Sequence, residues 1–384
     1  MILTHEQRSV LHYLWREGAR SRSGLHELTG VAPNRVGAAA TGLMELGLVR
    51  ECQARPSGGG RPRVPLEIDP GQRHVIGLTI WPGAVSAAKL NLQGNLVGKP
   101  VGRYVTGGTD RLVSAAASLL EKVRNDKALG VGVSMPGFYD PAARRALSGM
   151  MATQENPVSL SPLFDCAGGL PLVVENDMHA LGARWLLTHR AEAGHDALLV
   201  NISDGALGAA VLIGGRPSRG CVSSANELGH MRYLADTARC YCGQTGCLER
   251  IFSSEYLRLI EEDAGRIDVD AGLDADGVAA RNSLLMRRSA IYEQGDEALE
   301  TLYGYLANGI VNVVNFMRPH RLVIVSELTR YPNVCDLLTR SIRSRLLGEL
   351  INRVRFDLWD QPVGNPAETA GWLALANLYY DGWQ

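Results

Sequence analysis

The chain of 384 residues lacks any long hydrophobic run and carries almost no net charge. No window reaches about 18 consecutive apolar residues, so no membrane span is expected. The first ten residues, MILTHEQRSV, contain no apolar core of a signal peptide. A formal net charge of −1 gives no general attraction to nucleic acid or to a membrane surface. The remaining composition is that of an ordinary globular protein, long enough for two or three domains.

Cysteine is scarce, with seven in the whole chain, and its distribution is uneven. Three of the seven, Cys240, Cys242 and Cys247, fall within eight residues, and His230 precedes them. One imidazole and three thiols make the complete tetrahedral set of a closed structural zinc site, which leaves no position for a catalytic water. The alternative is that the three cysteines are buried as small hydrophobic residues. The cluster and the odd total of cysteines favour a reducing, cytoplasmic location.

The same segment carries two carboxylates that a zinc site does not need. Glu227 and Glu249 flank the four candidate ligands, and Gly243 and Gly246 allow the backbone to double back between them. A loop that a metal holds in place can direct carboxylates rigidly toward a small polyol. The segment therefore predicts a polar ligand site beside the metal.

The pattern Glu-x-Gly-His followed by Cys-x-Cys-Gly-x-x-Gly-Cys-Leu-Glu resembles the ROK family (repressors, open reading frames, sugar kinases). The resemblance extends over nearly the whole chain. It implies that this segment binds zinc and, through Glu227, His230 and Glu249, one face of a hexose. It also implies an α/β fold of the two-lobed, actin-like (ribonuclease H-like) type. We expect the first lobe at 71–195 with a C-terminal helix at 366–384, and the second lobe at 196–365.

Residues 1–70 have the pattern of a winged helix-turn-helix. Apolar residues recur on one face of the run 5–17, and Thr4 and Gln7 have the spacing of a capping box. Ser23 is expected to cap a second short helix, and Pro33 suits the first turn of a third helix that ends near residue 46. Three short helices with a tight turn between the last two indicate a helix-turn-helix.

Five residues of this region are predicted to contact operator DNA. Asn34, Arg35 and Thr41 lie on the third helix among small residues, where they can approach base edges in the major groove. Arg61 and Arg63 follow three glycines at the tip of the predicted wing, and they resemble arginine hooks that enter narrow minor grooves. The alternative for the three helices is a bundle used for protein interaction. The alternative for the wing is a solvated linker.

Asn176 and Asp177 follow a predicted buried strand, PLVVEND, in the first lobe. Ligands of open α/β sheets bind at the carboxyl ends of such strands. In ROK sugar kinases the matching aspartate is the base for the sugar hydroxyl and the asparagine binds the sugar. Asp177 can also be explained as a helix N-cap, and the two roles are compatible.

The nucleotide side departs from the kinase pattern that the resemblance implies. An Asp-x-Gly-x-Thr hairpin, a Gly-Thr-Gly turn and a Gly-Gly pair are expected for ATP and Mg²⁺. The first site reads Leu78-Thr79-Ile80-Trp81-Pro82-Gly83, without the metal aspartate and with a bulky tryptophan. Asp204 in the second site puts a negative charge where phosphate would bind, and Glu327 in the third replaces a glycine of the pair expected near the adenosine.

These observations predict a sugar-responsive, DNA-binding regulator, most simply a repressor, that is not an enzyme and whose aspartate base is vestigial. Its expected partners are operator DNA, a sugar or sugar-derivative effector and further copies of itself, as a dimer or tetramer, with no membrane partner. Two alternatives remain open. One is an active ROK sugar kinase with an added DNA-binding domain. The other is a regulator that senses a partner protein of sugar uptake.

Overall fold

The computed structural model describes most of the chain in separate ranges. These are residues 3–53, 64–148, 157–192, 194–203, 206–220, 226–232, 240, 242–249, 297–326, 332–359 and 365–379. The chain divides into two compact units, of which the first is Met1–Ala193 with Asn365–Gln384 and the second is Gly194–Gly364. None of the described helices is long and apolar enough to cross a bilayer.

The secondary structure alternates between helices and strands after a mostly helical start. The described helices are α1 (His5–Glu17), α2 (Arg22–Thr29), α3 (Pro33–Glu45), α4 (Thr109–Val123), α5 (Ser161–Ala167), α6 (Asp177–Thr188), α7 (Glu297–Met317), α8 (Pro332–Arg343), α9 (Gly348–Ile351) and α10 (Pro366–Tyr379). The described strands are β1 (Arg20–Ser21), β2 (Val49–Glu51), β3 (Pro65–Ile68), β4 (His74–Trp81), β5 (Ala84–Asn91), β6 (Val101–Tyr104), β7 (Ala128–Met135), β8 (Phe138–Asp140), β9 (Arg145–Ser148), β10 (Val158–Ser159), β11 (Leu172–Asn176), β12 (Ala197–Ser203), β13 (Ala206–Ile213), β14 (Arg216–Pro217), β15 (Arg321–Val325) and β16 (Arg355–Trp359).

Helices α1, α2 and α3 pack with a three-stranded sheet of order β1-β3-β2 and form a winged helix-turn-helix. The capping box at the start of α1 is confirmed, since the Gln7 amide donates to Thr4 Oγ1 and the Thr4 amide to Gln7 Oε1. The expected cap at Ser23 is wrong. Ser21 caps α2, because its hydroxyl accepts from the amide of Gly24. Strand pairing of Ser21 with Pro65 places it at the start of the helix, a tertiary contact that the local sequence does not show.

Helix α1 also packs on the end of α10, near the C-terminus. The Nδ1 atom of His12 lies 3.1 Å from the carbonyl oxygen of Tyr379, and Trp15 stacks on the Tyr379 ring. The guanidinium of Arg8 donates to the carbonyl oxygen of Asn377. The helix-turn-helix is therefore held to the last turn of a helix that belongs to the same unit.

The main sheet of the first unit has the order β11-β7-β4-β5-β6. Strands β4, β5 and β6 form an antiparallel meander, while β7 and β11 run parallel to β4. Side chains alternate between the two faces, so Ile76, Leu78 and Ile80 pack with the apolar residues of α4 and α5. The intervening Gly77 faces α10 on the opposite side of the sheet.

Close approach of α10 to this sheet depends on glycine. A methyl group on Gly132 of β7 would overlap the carbonyl oxygen of Ala370, and one on Gly77 would overlap that of Ala367. We expect Gly132→Ala to lower the free energy of unfolding by about 1–3 kcal/mol, because the helix must move away from the sheet. Gly130→Ala on the same strand should cost less, since the added carbon would lie 3.2 Å from its nearest neighbour. Urea denaturation of both variants measures the difference, and equal losses would contradict the packing argument.

The second unit repeats the strand order of the first. Its sheet runs β14-β13-β12-β15-β16, with β12, β13 and β14 antiparallel and β15 and β16 parallel to β12. Helix α7 supplies buried residues such as Leu306, Ile310 and Val314 to its core. Three antiparallel strands, followed by two strands that run parallel to the first, form the ribonuclease H-like arrangement. The two-lobed, actin-like α/β fold with an N-terminal winged helix-turn-helix is thus confirmed.

Candidate functional site

Four potential metal ligands of the second unit meet at one point. The ligand atoms of His230, Cys240, Cys242 and Cys247 all lie within 4.8 Å of one another. The sulfurs of Cys242 and Cys247 are 3.6 Å apart, and the Cys240 sulfur is 3.7 Å from His230 Nδ1. Zinc–sulfur bonds of about 2.3 Å in a tetrahedron place neighbouring sulfurs about 3.8 Å apart. The cluster therefore fits a tetrahedral metal ion, with Nδ1 as the imidazole ligand.

Tight turns and a short backbone pairing bring these ligands together. The Cys240 amide donates to the carbonyl of Gln244, and the Gly243 amide donates back to Cys240. Gly243 has a φ of 86° and Gly246 one of 78°, values that L residues with side chains rarely adopt. Cys247 pairs with Arg232 in an antiparallel bridge, which brings the chain back to the segment that contains His230. The expected doubling back at the two glycines is confirmed.

Burial alters the thiols before any metal is considered. Loss of solvent raises the pKa of Cys240. It also raises the pKa of Cys247 to about 12, and for Cys247 the neighbouring Cys242 adds to the effect. Cysteine binds metal as the thiolate, so binding would have to release these protons. Loss of these protons leaves thiolates, whose charge a divalent cation would neutralise. The donor set thus suits a metal better than an apolar pocket.

Glu227 and Glu249 flank the cluster in sequence, and each has a further contact. Glu227 Oε2 is 4.0 Å from His230 Nε2, so the same imidazole faces the cluster with one nitrogen and the carboxylate with the other. Glu249 Oε2 accepts from the backbone amide of Leu207, 3.1 Å away, at the start of β13. A methyl group on Gly229 would meet the carbonyl oxygen of Leu207 and the Glu249 side chain. Glycine in the Glu-x-Gly-His motif is therefore a packing requirement.

Asn176 and Asp177 lie in the first unit, where β11 ends and α6 begins. Asn176 is the N-cap of α6, because its Oδ1 accepts from the Met178 amide at 2.8 Å. Its amide nitrogen donates to the carbonyl oxygen of Gly137, 3.2 Å away, in the turn that follows β7. The capping role considered for Asp177 thus belongs mainly to its neighbour. Asp177 is the first residue of the helix, and its carboxylate also accepts from the Met178 amide at 3.0 Å.

A buried pair beside these residues was not predicted from the sequence. His179 Nδ1 lies 2.9 Å from Glu175 Oε2, and the two residues are 0% and 3% exposed. They lie on either side of Asn176 and Asp177 in the sequence, and their contact joins the end of strand β11 to the first turn of α6. Leaving a buried hydrogen-bonding group without its partner typically costs about 1–3 kcal/mol, so the contact helps to hold this junction. A Glu and a His four residues apart across Asn-Asp was the available signal.

The first expected nucleotide site is a tight hairpin. Trp81 pairs directly with Ala84, so only Pro82 and Gly83 form the turn. Proline has no amide hydrogen to donate to a phosphate, and Trp81 extends into solvent with 41% of its surface exposed. Thr79 replaces the expected aspartate, and within the described part of the chain its buried hydroxyl has no hydrogen-bond partner. Asp204 and Glu327 lie outside the described residues.

Some of the predicted DNA-contacting residues also lie within the described part of the chain and others do not. Asn34, Arg35 and Thr41 are exposed on α3, whereas Arg61 and Arg63 lie outside the described residues. Arg35 forms an ion pair with Glu6 of α1. Arg50 and Glu67, in the strands that lead to and from the predicted wing tip, form a second pair at 2.7 Å.

Fold and cluster together define an actin-like protein with an N-terminal winged helix-turn-helix and a candidate metal centre in its second unit. The model of the ROK family matches residues 104–378, and the chain belongs to that family.

Similar proteins include regulators and kinases. The chain is 22% identical to the xylose repressor of Bacillus subtilis, with 96% of this chain and 94% of that protein covered. It is 23% identical to the DNA-binding transcriptional repressor Mlc of Escherichia coli, with 95% and 91% covered. A crystal structure of a ROK transcriptional regulator homologous to Mlc matches with a TM-score of 0.73 and 20% identity, covering 97% of this chain and 96% of that chain. A ROK glucokinase from Streptomyces griseus, solved with glucose and AMPPNP, has a TM-score of 0.58 and 23% identity, and covers 79% of this chain and 99% of that chain.

Proposed function

We propose that this protein is a sugar-responsive, DNA-binding transcription regulator of the ROK family, acting as a repressor. The observation that carries the proposal is a winged helix-turn-helix placed ahead of a ROK body with altered nucleotide-binding positions. The similar regulators match along nearly the whole chain, whereas the glucokinase leaves part of it without a counterpart. The proposal divides the chain into a winged helix-turn-helix at 1–70, a first lobe at 71–195 with 366–384, and a second lobe at 196–365.

The altered positions argue against phosphoryl transfer. Catalysis of that reaction is mostly electrostatic stabilisation of the transferring group and its metal ion. Thr79 offers a neutral hydroxyl where a carboxylate would hold Mg²⁺, and Pro82 removes one backbone donor of the hairpin. Asp204 would repel phosphate in a site that must attract it, and Glu327 replaces a glycine of the pair expected near the adenosine. Asp177 then remains as a sugar contact without a phosphate donor to act on.

The residues proposed to recognise a sugar are Asn176, Asp177, Glu227, His230 and Glu249. Carboxylates of Asp177, Glu227 and Glu249 can accept hydrogen bonds from sugar hydroxyls, and Asn176 stands beside the first of them. His230 contributes Nε2 while its Nδ1 belongs to the metal cluster. The metal is proposed to be structural zinc, bound by His230, Cys240, Cys242 and Cys247. It would hold the His230 ring in one orientation, so that a hydroxyl meets a fixed donor.

The DNA-reading assignment follows from exposure and charge. Asn34 and Thr41 lie on the outer side of α3, where a major-groove helix contacts base edges, and Arg35 lies beside them. Arg61 and Arg63 are assigned to the minor groove next to the site. Palindromic operators require paired reading heads, so the active form is proposed to be a homodimer or tetramer in the cytoplasm.

Two other functions are weighed against this one. An active sugar kinase is favoured by the likeness to a ROK glucokinase. It is also favoured by Asp177, to which the family resemblance assigns the role of catalytic base. A regulator that senses a partner protein of sugar uptake would keep the DNA-binding domain and need no sugar contacts. The first alternative predicts turnover of ATP, and the second predicts no stabilisation by any sugar.

The test combines two measurements on the full chain. Selection from a randomised duplex library should yield a defined operator, and Mg-ATP with common hexoses should give no phosphorylation above background. An active ROK glucokinase serves as the positive control for the second assay. Robust turnover that Asp177→Asn abolishes would overturn the regulator-only proposal. Failure to select any sequence would overturn DNA recognition.

A further inference from the structure

The reading helix α3 presents a narrow exposed stripe. Its buried face consists of Val36, Ala39, Ala40 and Leu43. At about 100° per residue, the opposite face carries Asn34, Ala38, Thr41 and Glu45, all of which are exposed. Arg35 is displaced by about a quarter turn from both faces, so it lies on the flank of the helix. Its guanidinium is thus not held on the stripe that would face the groove floor.

A carboxylate from another helix occupies this flank. Glu6, in the first turn of α1, accepts a hydrogen bond from the Arg35 guanidinium. The Glu6 side chain is 17% exposed, whereas that of Arg35 is 65% exposed. A backbone hydrogen bond, followed by the charge of Arg35 and the hydroxyl of Thr4, lowers the pKa of Glu6. The carboxylate is therefore ionised at neutral pH and is the more fixed partner of the pair.

DNA would compete with Glu6 for Arg35. An exposed ion pair contributes little free energy, so a phosphate or a guanine edge within reach can replace the carboxylate. The exchange leaves Glu6 unpaired near a polyanion, which opposes it on every sequence. A site that offers a well-placed bidentate base contact compensates for this loss better than an isolated phosphate does. Glu6 thereby penalises non-specific binding more than specific binding.

We propose that Glu6 is a specificity-determining residue of the DNA-reading surface, which keeps Arg35 from DNA phosphates unless the operator offers it a base contact. This inference rests on the proposed DNA-binding function and adds to it a residue outside the reading helix. Glu6 acts through Arg35, so its effect disappears when Arg35 is removed.

The experiment compares Glu6→Gln with wild type on two duplexes of equal length. One is the sequence that the wild-type protein selects from a randomised library, and the other is an unrelated sequence. Glu6→Gln should bind the unrelated duplex up to about fivefold more tightly, as expected for a released exposed pair. One additional phosphate contact should steepen the slope of log K against log salt by about 0.9 on that duplex. Affinity for the selected duplex should change less, so the ratio of the two affinities falls.

The matched control is Glu17→Gln, which removes the same charge from the last turn of the same helix. Glu17 pairs with Arg16 and Arg20, and neither of these arginines belongs to the reading helix. This variant should leave the affinity ratio unchanged. The double variant Glu6→Gln with Arg35→Ala should behave as Arg35→Ala alone. Thermal melting of each variant verifies that the domain is folded.

Two results would overturn the inference without touching the proposed function. Equal changes on both duplexes, or no change on either, would show that Glu6 does not affect specificity. Persistence of the Glu6→Gln effect in the Arg35→Ala background would reduce Glu6 to a general negative charge. If the wild-type protein selects no sequence at all, DNA recognition itself fails and the role of Glu6 fails with it.

Discussion

Cys242→Ser is expected to reduce bound zinc from about one ion per chain to a small fraction of that value. A structural zinc site of four ligands contributes about 10–16 kcal/mol in small zinc domains, and the loss of one thiolate removes the closed tetrahedron. Cys242 is the exposed cysteine of the cluster, so serine at this position should disturb the core less than it would at buried Cys247. Metal analysis of the purified chain gives the stoichiometry.

The loop around the cluster should also become more accessible to protease when the metal is lost. Leu228 and Leu248 anchor its two arms in the core, so cleavage is expected between them while the core persists. Cys335→Ser, in the same unit but outside the cluster, is the matched control and should keep its zinc. Full zinc occupancy in Cys242→Ser would refute the ligand assignment.

Glu227→Ala is expected to shift the response to much higher sugar concentrations while leaving the affinity for operator without sugar nearly unchanged. A hydrogen bond to a charged group contributes about 1.5–3 kcal/mol, so its loss should weaken sugar binding by at least about tenfold. The carboxylate lies beside His230 in the second unit, and the DNA-reading helices belong to the first. The basal affinity for DNA therefore has no direct dependence on it.

The measurement begins with a screen of hexoses, amino sugars and phosphosugars for thermal stabilisation of the wild-type protein. A ligand at about 100 times its dissociation constant adds about 2.7 kcal/mol of stability. Operator titrations with and without the selected sugar then compare Glu227→Ala with Glu349→Ala, a highly exposed carboxylate of the same unit. Glu349→Ala should respond normally. A fully sugar-responsive Glu227→Ala would exclude this carboxylate from the sensor.

Local patterns predicted those features that depend on neighbours in the chain. The capping box of α1, Pro33 at the start of α3 and the turns at Gly243 and Gly246 each follow from residues a few positions apart. Their geometry is determined by short-range hydrogen bonds and by the φ angles that glycine and proline allow. The His-Cys cluster belongs to the same class, because its three cysteines are close in sequence and chelation requires a fixed set of donors.

Long-range contacts decided the remaining features. Ser21 caps α2 because β1 pairs with β3, and Arg35 on the flank of α3 forms an ion pair because helix packing places Glu6 beside it. The Glu175–His179 pair is local in sequence, but burial of both side chains at the strand–helix junction depends on the surrounding fold.

The sequence by itself thus determined the class of fold, the position of the winged helix-turn-helix and the identity of the candidate metal ligands. Only the tertiary structure decided that Asn176 caps α6 and contacts Gly137, and that Glu249 contacts the start of β13. It also decided that His230 faces the His–Cys cluster with one nitrogen and Glu227 with the other. The physical reason is that residue types and spacing fix which donors and acceptors are available, whereas packing of distant segments fixes which of them meet.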